Sequence, residues 1–285
     1  MRSGILSLLV LAAVAAVPAG AQEVGNTQAF PAAAHIAGVP PSQWVSDVVV
    51  NNLNDYEIVV GFQFLPENQA HTILDLTFDD QITMAARETR LFEDVLATLL
   101  GHTEDIKGVL IVTCEPDFLP ASGNPEDSII IATMRTYDVS SPVGTYGQTI
   151  PATEEVDNST GTPSYLTGAR NDGQFRSNLG IVNLSLVETT IHYRIIRSDA
   201  TVVVQGSKTM GSLSAGQWSF ASLGVGTVEG PLTIDLWLDP SSVTPDPCES
   251  DWPNSFLAYV SKVDGDSQDG EFIYAAPGEF LPCMD

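Results

Sequence analysis

Basic residues are scarce in this sequence: 11 lysines and arginines face 36 aspartates and glutamates, a formal net charge of −25 over 285 residues. So negative a surface repels phosphate, which excludes nucleic acid as a partner and disfavours an anionic membrane. Cysteine is scarce too. There are three, and none has the C-x-x-C or mixed Cys/His spacing of a zinc site. After residue 21 no stretch has 18 uninterrupted apolar residues, so a soluble mature chain without a membrane span is expected. Motifs of reactive chemistry are missing as well: G-x-S-x-G, Walker A and G-x-G-x-x-G do not occur. The four histidines, His35, His71, His102 and His192, form no H-x-H or H-E-x-x-H pattern. These absences make a non-enzymatic protein the leading reading. Apolar residues, at 44%, are plentiful enough to build a sizeable core.

Residues 1–21 have the anatomy of a secretory signal. Arg2 is a short positive region, Ile5 to Val17 are apolar, and Pro18 precedes the A-x-A site Ala19-Gly20-Ala21. Cleavage after Ala21 and residence outside the cell or in its envelope follow. In that oxidising setting a bridge between Cys248 and Cys283 is expected, pinning the C-terminal tail to a Pro/Asp-rich loop. Cys114 is expected to be a buried thiol.

Laid against itself, the chain repeats. Gln43-Trp44-Val45-Ser46-Asp47 and Asn52-Leu53 match Gln174-Phe175-Arg176-Ser177-Asn178 and Asn183-Leu184 at an offset of 131, and Val60, Phe62 and Phe64 continue onto Ile191, Tyr193 and Ile195. Gly108, Leu110, Val112 and Cys114 fall on Gly230, Leu232, Ile234 and Leu236 at an offset of 122. Ala132, Asp138 and Pro151 fall on Ala258, Asp264 and Pro277 at an offset of 126. The period within each copy is two. Leu232, Ile234, Leu236 and Leu238 alternate with Thr233, Asp235, Trp237 and Asp239, the mark of a strand with one dry and one wet face. Phe92, Val95, Leu96, Leu99 and Leu100 alone have helical spacing, predicting one short helix that ends near Gly101.

The predicted fold class is therefore all-β: two tandem immunoglobulin-like β-sandwich domains related by internal duplication, with one short helix in the first. The predicted boundaries are an extended segment at 22–35, a first repeat at 36–152, a linker at 153–165, a second repeat at 166–278 and a tail at 279–285. Cys114 takes the inward place that Leu236 fills in the second copy, hence its assignment as a small buried hydrophobe.

The stretches Trp44–Asp47, Arg135–Asp138, Gly144–Ala152 and Phe175–Gly180 with Val182-Asn183 resemble a group of exported bacterial proteins built from paired β-sandwich units. The resemblance implies the architecture. It brings no activity and no functional residues.

Two places invite a ligand. Asp264, Asp266, Asp269 and Glu271 lie on a Gly-containing loop that could offer calcium several hard oxygens, although an EF-hand order is broken there and an Asp/Gly hairpin turn explains the same residues. Trp237, in the outward register between Asp235 and Asp239, could stack on a sugar, or else pack against the neighbouring sandwich or the loop at 248–252. The functional readings are then an exported structural or interaction protein with a protein or glycan partner at the cell surface, a carbohydrate-binding module helped by calcium, and a hydrolase. The last requires a cleft between the two units holding two close carboxylates, one of them with a raised pKa.

Overall fold

The computed structural model describes residues 24–72, 75, 77–115, 123–142, 144–153, 161–243 and 253–276. The segment read as a secretory signal, both cysteines of the expected Cys248–Cys283 bridge and the tail at 279–285 lie outside the described residues, as does most of the stretch between the halves. The chain is all-β. In the first half, β3 (Ile58–Pro66) lies between β4 (Asp80–Met84) and β6 (Ile106–Thr113), and β6 pairs on its far edge with β1 (Thr27–Ala37). Beneath them β2 (Gln43–Asn52) lies between β5 (Thr89–Phe92) and β7 (Ile130–Asp138), with β8 (Tyr146–Ile150) beyond β7. The one helix, α1 (Val95–Thr98), follows β5 and buries Val95 and Leu96, as their helical spacing requires.

The second half has the same pairing order. One sheet runs β12 (Val202–Met210), β11 (Thr189–Arg197), β14 (Val228–Leu238), β9 (Ser164–Asn171). The other runs β13 (Ser214–Ser219), β10 (Phe175–Asn183), β15 (Phe256–Asp264), β16 (Gly270–Tyr274). Strand for strand, β9–β16 stand to one another as β1–β8 do. One difference is β1, which bonds to β6 through residues 27–35 and to β2 through Ile36 and Ala37, making one continuous sheet of the first half. Its register shifts between Phe30 and Ala33, around Pro31, a residue with no N–H to give to a ladder.

Two sequence expectations change. β1 is an integral strand, so the first unit starts near residue 27 rather than 36, and β9 begins inside the stretch read as linker. Alternation is weak in β1, which is alanine-rich and bulged. The final match also moves. Tyr137 faces Gly147 in the first half and Val263 faces Gly270 in the second, so Gly270 corresponds to Gly147 and Ile273 to Ile150. The pairing of Pro151 with Pro277 is therefore three residues out of register, because the β15–β16 hairpin loop is three residues shorter than its counterpart.

Each half encloses its own core. Phe30, Val60, Phe62, Leu110, Val112 and Met134 are buried in the first, and Leu179, Ile191, Ile195, Leu232, Ile234 and Phe256 in the second. Inward alternation accounts for both sets. Cys114 and Leu236 are fully buried at matching places.

A third cluster joins the halves. Leu65, Val109, Val182 and Leu257 point to the face that alternation assigns to water, yet they are buried together with Ala215 between the two units. Around them the Tyr259 hydroxyl donates to the Pro31 carbonyl at 3.3 Å and the Tyr274 hydroxyl to the Pro151 carbonyl at 2.6 Å. The backbone after β3 docks on the second half as well, with the Asn68 N–H on the Ala215 carbonyl at 2.8 Å and the His71 N–H on the Ser212 carbonyl at 2.9 Å. Gly180 makes room for this junction: a Cβ there would stand 2.0 Å from the Tyr259 ring. On the outward face of β2 and β7 in the first half, Asn51, Thr133 and Arg135 occupy the places of Val182, Tyr259 and Ser261, beside Val49, Leu91 and Ile131.

Candidate functional site

The acidic loop is a turn. An oxygen of Asp264 accepts the N–H groups of Asp266 at 2.8 Å and Ser267 at 3.1 Å, and those backbone bonds hold its carboxyl below the usual range. Asp138, at the matching place, likewise accepts the N–H groups of Gln43 and Ser140, both at 2.9 Å. Asp269 accepts the Gly270 N–H at 3.1 Å, Asp266 is exposed, and Glu271 pairs with Lys262 at 2.5 Å across the β15–β16 ladder. The four acids are thus spread along a hairpin and not gathered around one point. Among the described residues no group of three or more His, Cys, Asp or Glu is placed to hold a metal ion.

Trp237 belongs to a cross-strand ladder on the outer face of the β11–β14 pair. His192 lies directly opposite it and stacks on the indole, centroids 5.5 Å apart and planes 18° from parallel. His192 also meets Asp239 at 2.9 Å, and Arg194 grips Asp235 through two bonds of 3.1 and 2.5 Å. The bond with His192, followed by those from Ser241, lowers the Asp239 carboxyl to about 2. One face of the indole is therefore covered by its own sheet. Neither the neighbouring sandwich nor the loop at 248–252 was needed for this, and the latter lies outside the described residues.

Cys114 is a free, fully buried thiol whose Sγ–H donates to the Ser128 carbonyl at 3.4 Å, and burial pushes its pKa up to about 12. Trp44 and Phe175, paired by the repeat, part ways in the fold. Phe175 lies under Arg170, 4.0 Å from guanidinium to ring centroid, whereas Trp44 lines the concavity described next.

That concavity is a cleft of about 370 Å³ at the junction of the halves. From the first half it takes the Pro31–Ala34 stretch, Trp44, Glu67 and Lys107; from the second, Arg176, Asn178, Gln217 and Tyr259. Such a volume lies within the roughly 300–1,000 Å³ of small-molecule sites, and so does the mixture of an apolar floor with a few polar groups. Lys107 meets Glu67 and the Gln217 carbonyl oxygen, both at 3.2 Å. Burial raises Glu67 above the usual carboxylate range against the pull of Lys107, and burial likewise raises Tyr259. The glycosidase expectation asked for two close carboxylates here. Among the described lining residues there is one, Glu67, and it faces a lysine. None of the cleft residues was singled out as a ligand contact from the sequence. They come from distant strands, and only the outward apolar residues Leu65, Val109, Val182 and Leu257 hinted that a second surface covers these sheets.

No family model matches the chain, and no curated protein matches it. Among solved structures it is similar, at 9% identity and a TM-score of 0.15, to a Bacteroides uniformis beta-glucuronidase, over 86% of this chain and 26% of that one. A calcium-binding mutant of Bacteroides uniformis beta-glucuronidase 2 is similar at 10% identity and a TM-score of 0.14, over 82% and 26%. The chain thus spans about a quarter of the length of either neighbour, and likeness this faint carries no argument about fold or function.

Proposed function

We propose that this is an exported, non-enzymatic binding protein made of two immunoglobulin-like sandwich units that arose by duplication, acting at the cell surface or outside the cell. The observation that carries the reading is the cleft at the junction, where polar side chains of both halves converge over an apolar floor. The matching strand orders and the reuse of aspartate turns at Asp138 and Asp264 support the duplication. A rigid junction suits a binding role, because side chains held by packed sheets lose little freedom when a ligand arrives.

The test is a fragment screen by saturation-transfer NMR on the mature chain beside an Asn178→Trp variant, which fills the cleft without removing a core residue. Fragments that bind the parent chain and are lost in the variant, with the melting temperature unchanged, support the reading. Fragments that bind both equally, or none that bind, sink it. Export is checked separately: the secreted protein should begin at Gln22, and an intracellular product beginning at Met1 would refute the leader.

A further inference from the structure

We propose that the cleft between the two halves takes a small carboxylate carried on a flat, largely apolar body of one or two rings. This rests on the reading of the cleft as a binding site, and adds the charge and shape of what enters it.

The local charge runs against the chain. Acids outnumber bases more than threefold over the whole sequence, yet the described lining has two cations, Lys107 and Arg176, against the single acid Glu67. Lys107 and Glu67 neutralise each other at 3.2 Å, which leaves Arg176 as the uncompensated charge. Arg87, Arg90, Arg170 and Arg194 each hold a carboxylate. Arg176, like Arg135 and Arg197, holds none among the described residues: its one side-chain bond there is from Nη2 to the neutral Gln268 side chain at 2.9 Å, leaving most of its five N–H donors unspent.

Neighbouring side chains add unspent donors. Asn178 stands two residues along β10 from Arg176, hence on the same face, and its amide makes no hydrogen bond to a described residue. Gln217, across the β10–β13 ladder, gives its oxygen to Lys107 and keeps its NH₂. The Trp44 N–H also has no described acceptor. A guanidinium in a lining that also holds unspent amide N–H groups suits the two-oxygen geometry of a carboxylate, whereas the unspent acceptor these groups leave for a cation is the Asn178 oxygen. The described lining also includes Pro31, Ala32, Val39 and the Trp44 indole, apolar surface that dehydrates favourably against a ring.

The probes are benzoate, benzyl alcohol and benzylamine, which share a ring and differ in charge, titrated by saturation-transfer NMR and calorimetry against the mature chain. Benzoate is expected to bind at least ten times tighter than the alcohol. It should lose about that factor in Arg176→Gln, which removes the positive charge, and all measurable binding in Asn178→Trp. If the alcohol or the amine binds as well as benzoate and is lost in Asn178→Trp, the cleft is a site and the anion proposal falls. Benzoate binding that survives Asn178→Trp lies elsewhere, and then both the proposal and the cleft reading fall. So they do if no probe binds while the parent and both variants melt alike.

Discussion

Asn52 and Asn183 hold the same set of bonds at the same place in the two halves. Both are fully buried. The Asn52 amide donates to the carbonyls of Tyr56 at 2.9 Å, Ala85 at 2.9 Å and Met84 at 3.4 Å; that of Asn183 donates to Val187 at 3.0 Å, Gly211 at 2.7 Å and Met210 at 3.3 Å. Each accepts the N–H two residues on, from Asn54 at 2.9 Å and Ser185 at 3.0 Å. In each half one side chain ties the end of the β2-type strand to the loops on both sides of a hairpin, satisfying carbonyls that no ladder reaches.

Replacing either asparagine by aspartate keeps the acceptor and removes every donation, while adding a buried charge. Each substitution should cost about 3 kcal/mol or more, since several carbonyls are orphaned at once. Urea unfolding of Asn52→Asp and Asn183→Asp should show comparable losses. If one variant were as stable as the parent, the two networks would not be doing the same job.

The junction should be sensitive at Tyr259. Tyr259→Phe removes the bond to Pro31 and leaves that carbonyl unpaired, a loss of ~1–2 kcal/mol. Gly180→Ala should cost at least as much, because the added methyl meets the ring and a packed surface has nowhere to move it. X-ray scattering should show a larger radius of gyration for Gly180→Ala. An unchanged radius with unchanged stability would remove Tyr259 from the junction's supports.

Stability should fall on the alkaline side. The Cys114 thiol ionises near 9.0 in an unfolded chain but only at about 12 when buried. Its folded value is raised, so its contribution is whole below pH 9 and is lost as the pH climbs towards 12. Urea midpoints measured between pH 8 and 11 should decline, and the decline should be shallower in Cys114→Ala. Parallel curves for the two proteins would contradict the assignment. The same burial predicts that a thiol reagent reaches Cys114 only after denaturation.

At the acid end, Asp239 has a lowered folded value of about 2. Its favourable bonds are present above the ordinary carboxylate range and disappear as the pH falls through about 2. Carbon-detected NMR should find it titrating there, and His192→Gln should return it towards the ordinary value. No movement on that substitution would mean that His192 is not the cause.

Asn51, Thr133 and Arg135, on the outward face of β2 and β7, should keep the pair of units from growing into a longer stack. Asn51→Val, Thr133→Tyr and Arg135→Ser together give that face the residues of the one that is buried at the junction. Sedimentation velocity of the triple variant should show concentration-dependent association, since a head-to-tail contact that does not close on itself extends. A monomer at high concentration would show that these three positions do not guard the face.

The strands and the inward residues were legible because they depend on local order. Alternation over Leu232–Leu238 reports which side of a strand is dry, and the helical spacing around Val95 and Leu96 reports the one exception. The acidic loop and Trp237 were visible for the same reason but their roles were not. Whether Asp264 faces an ion or its own backbone depends on the turn, and whether an outward indole is bare depends on which residue the register sets opposite, here His192.

By itself, the order of residues determined an all-β chain, the placement of Cys114 inside, and the match of Asn52 with Asn183, since these follow from a period of two along single strands and from comparing the chain with itself. Only the tertiary structure decided that Leu65, Val109, Val182 and Leu257 are dry, that β1 belongs to the first unit, and that Trp44, Arg176 and Asn178 share a cleft. Those facts depend on which sheet faces come together, and a side chain that points outward carries no mark of what will cover it.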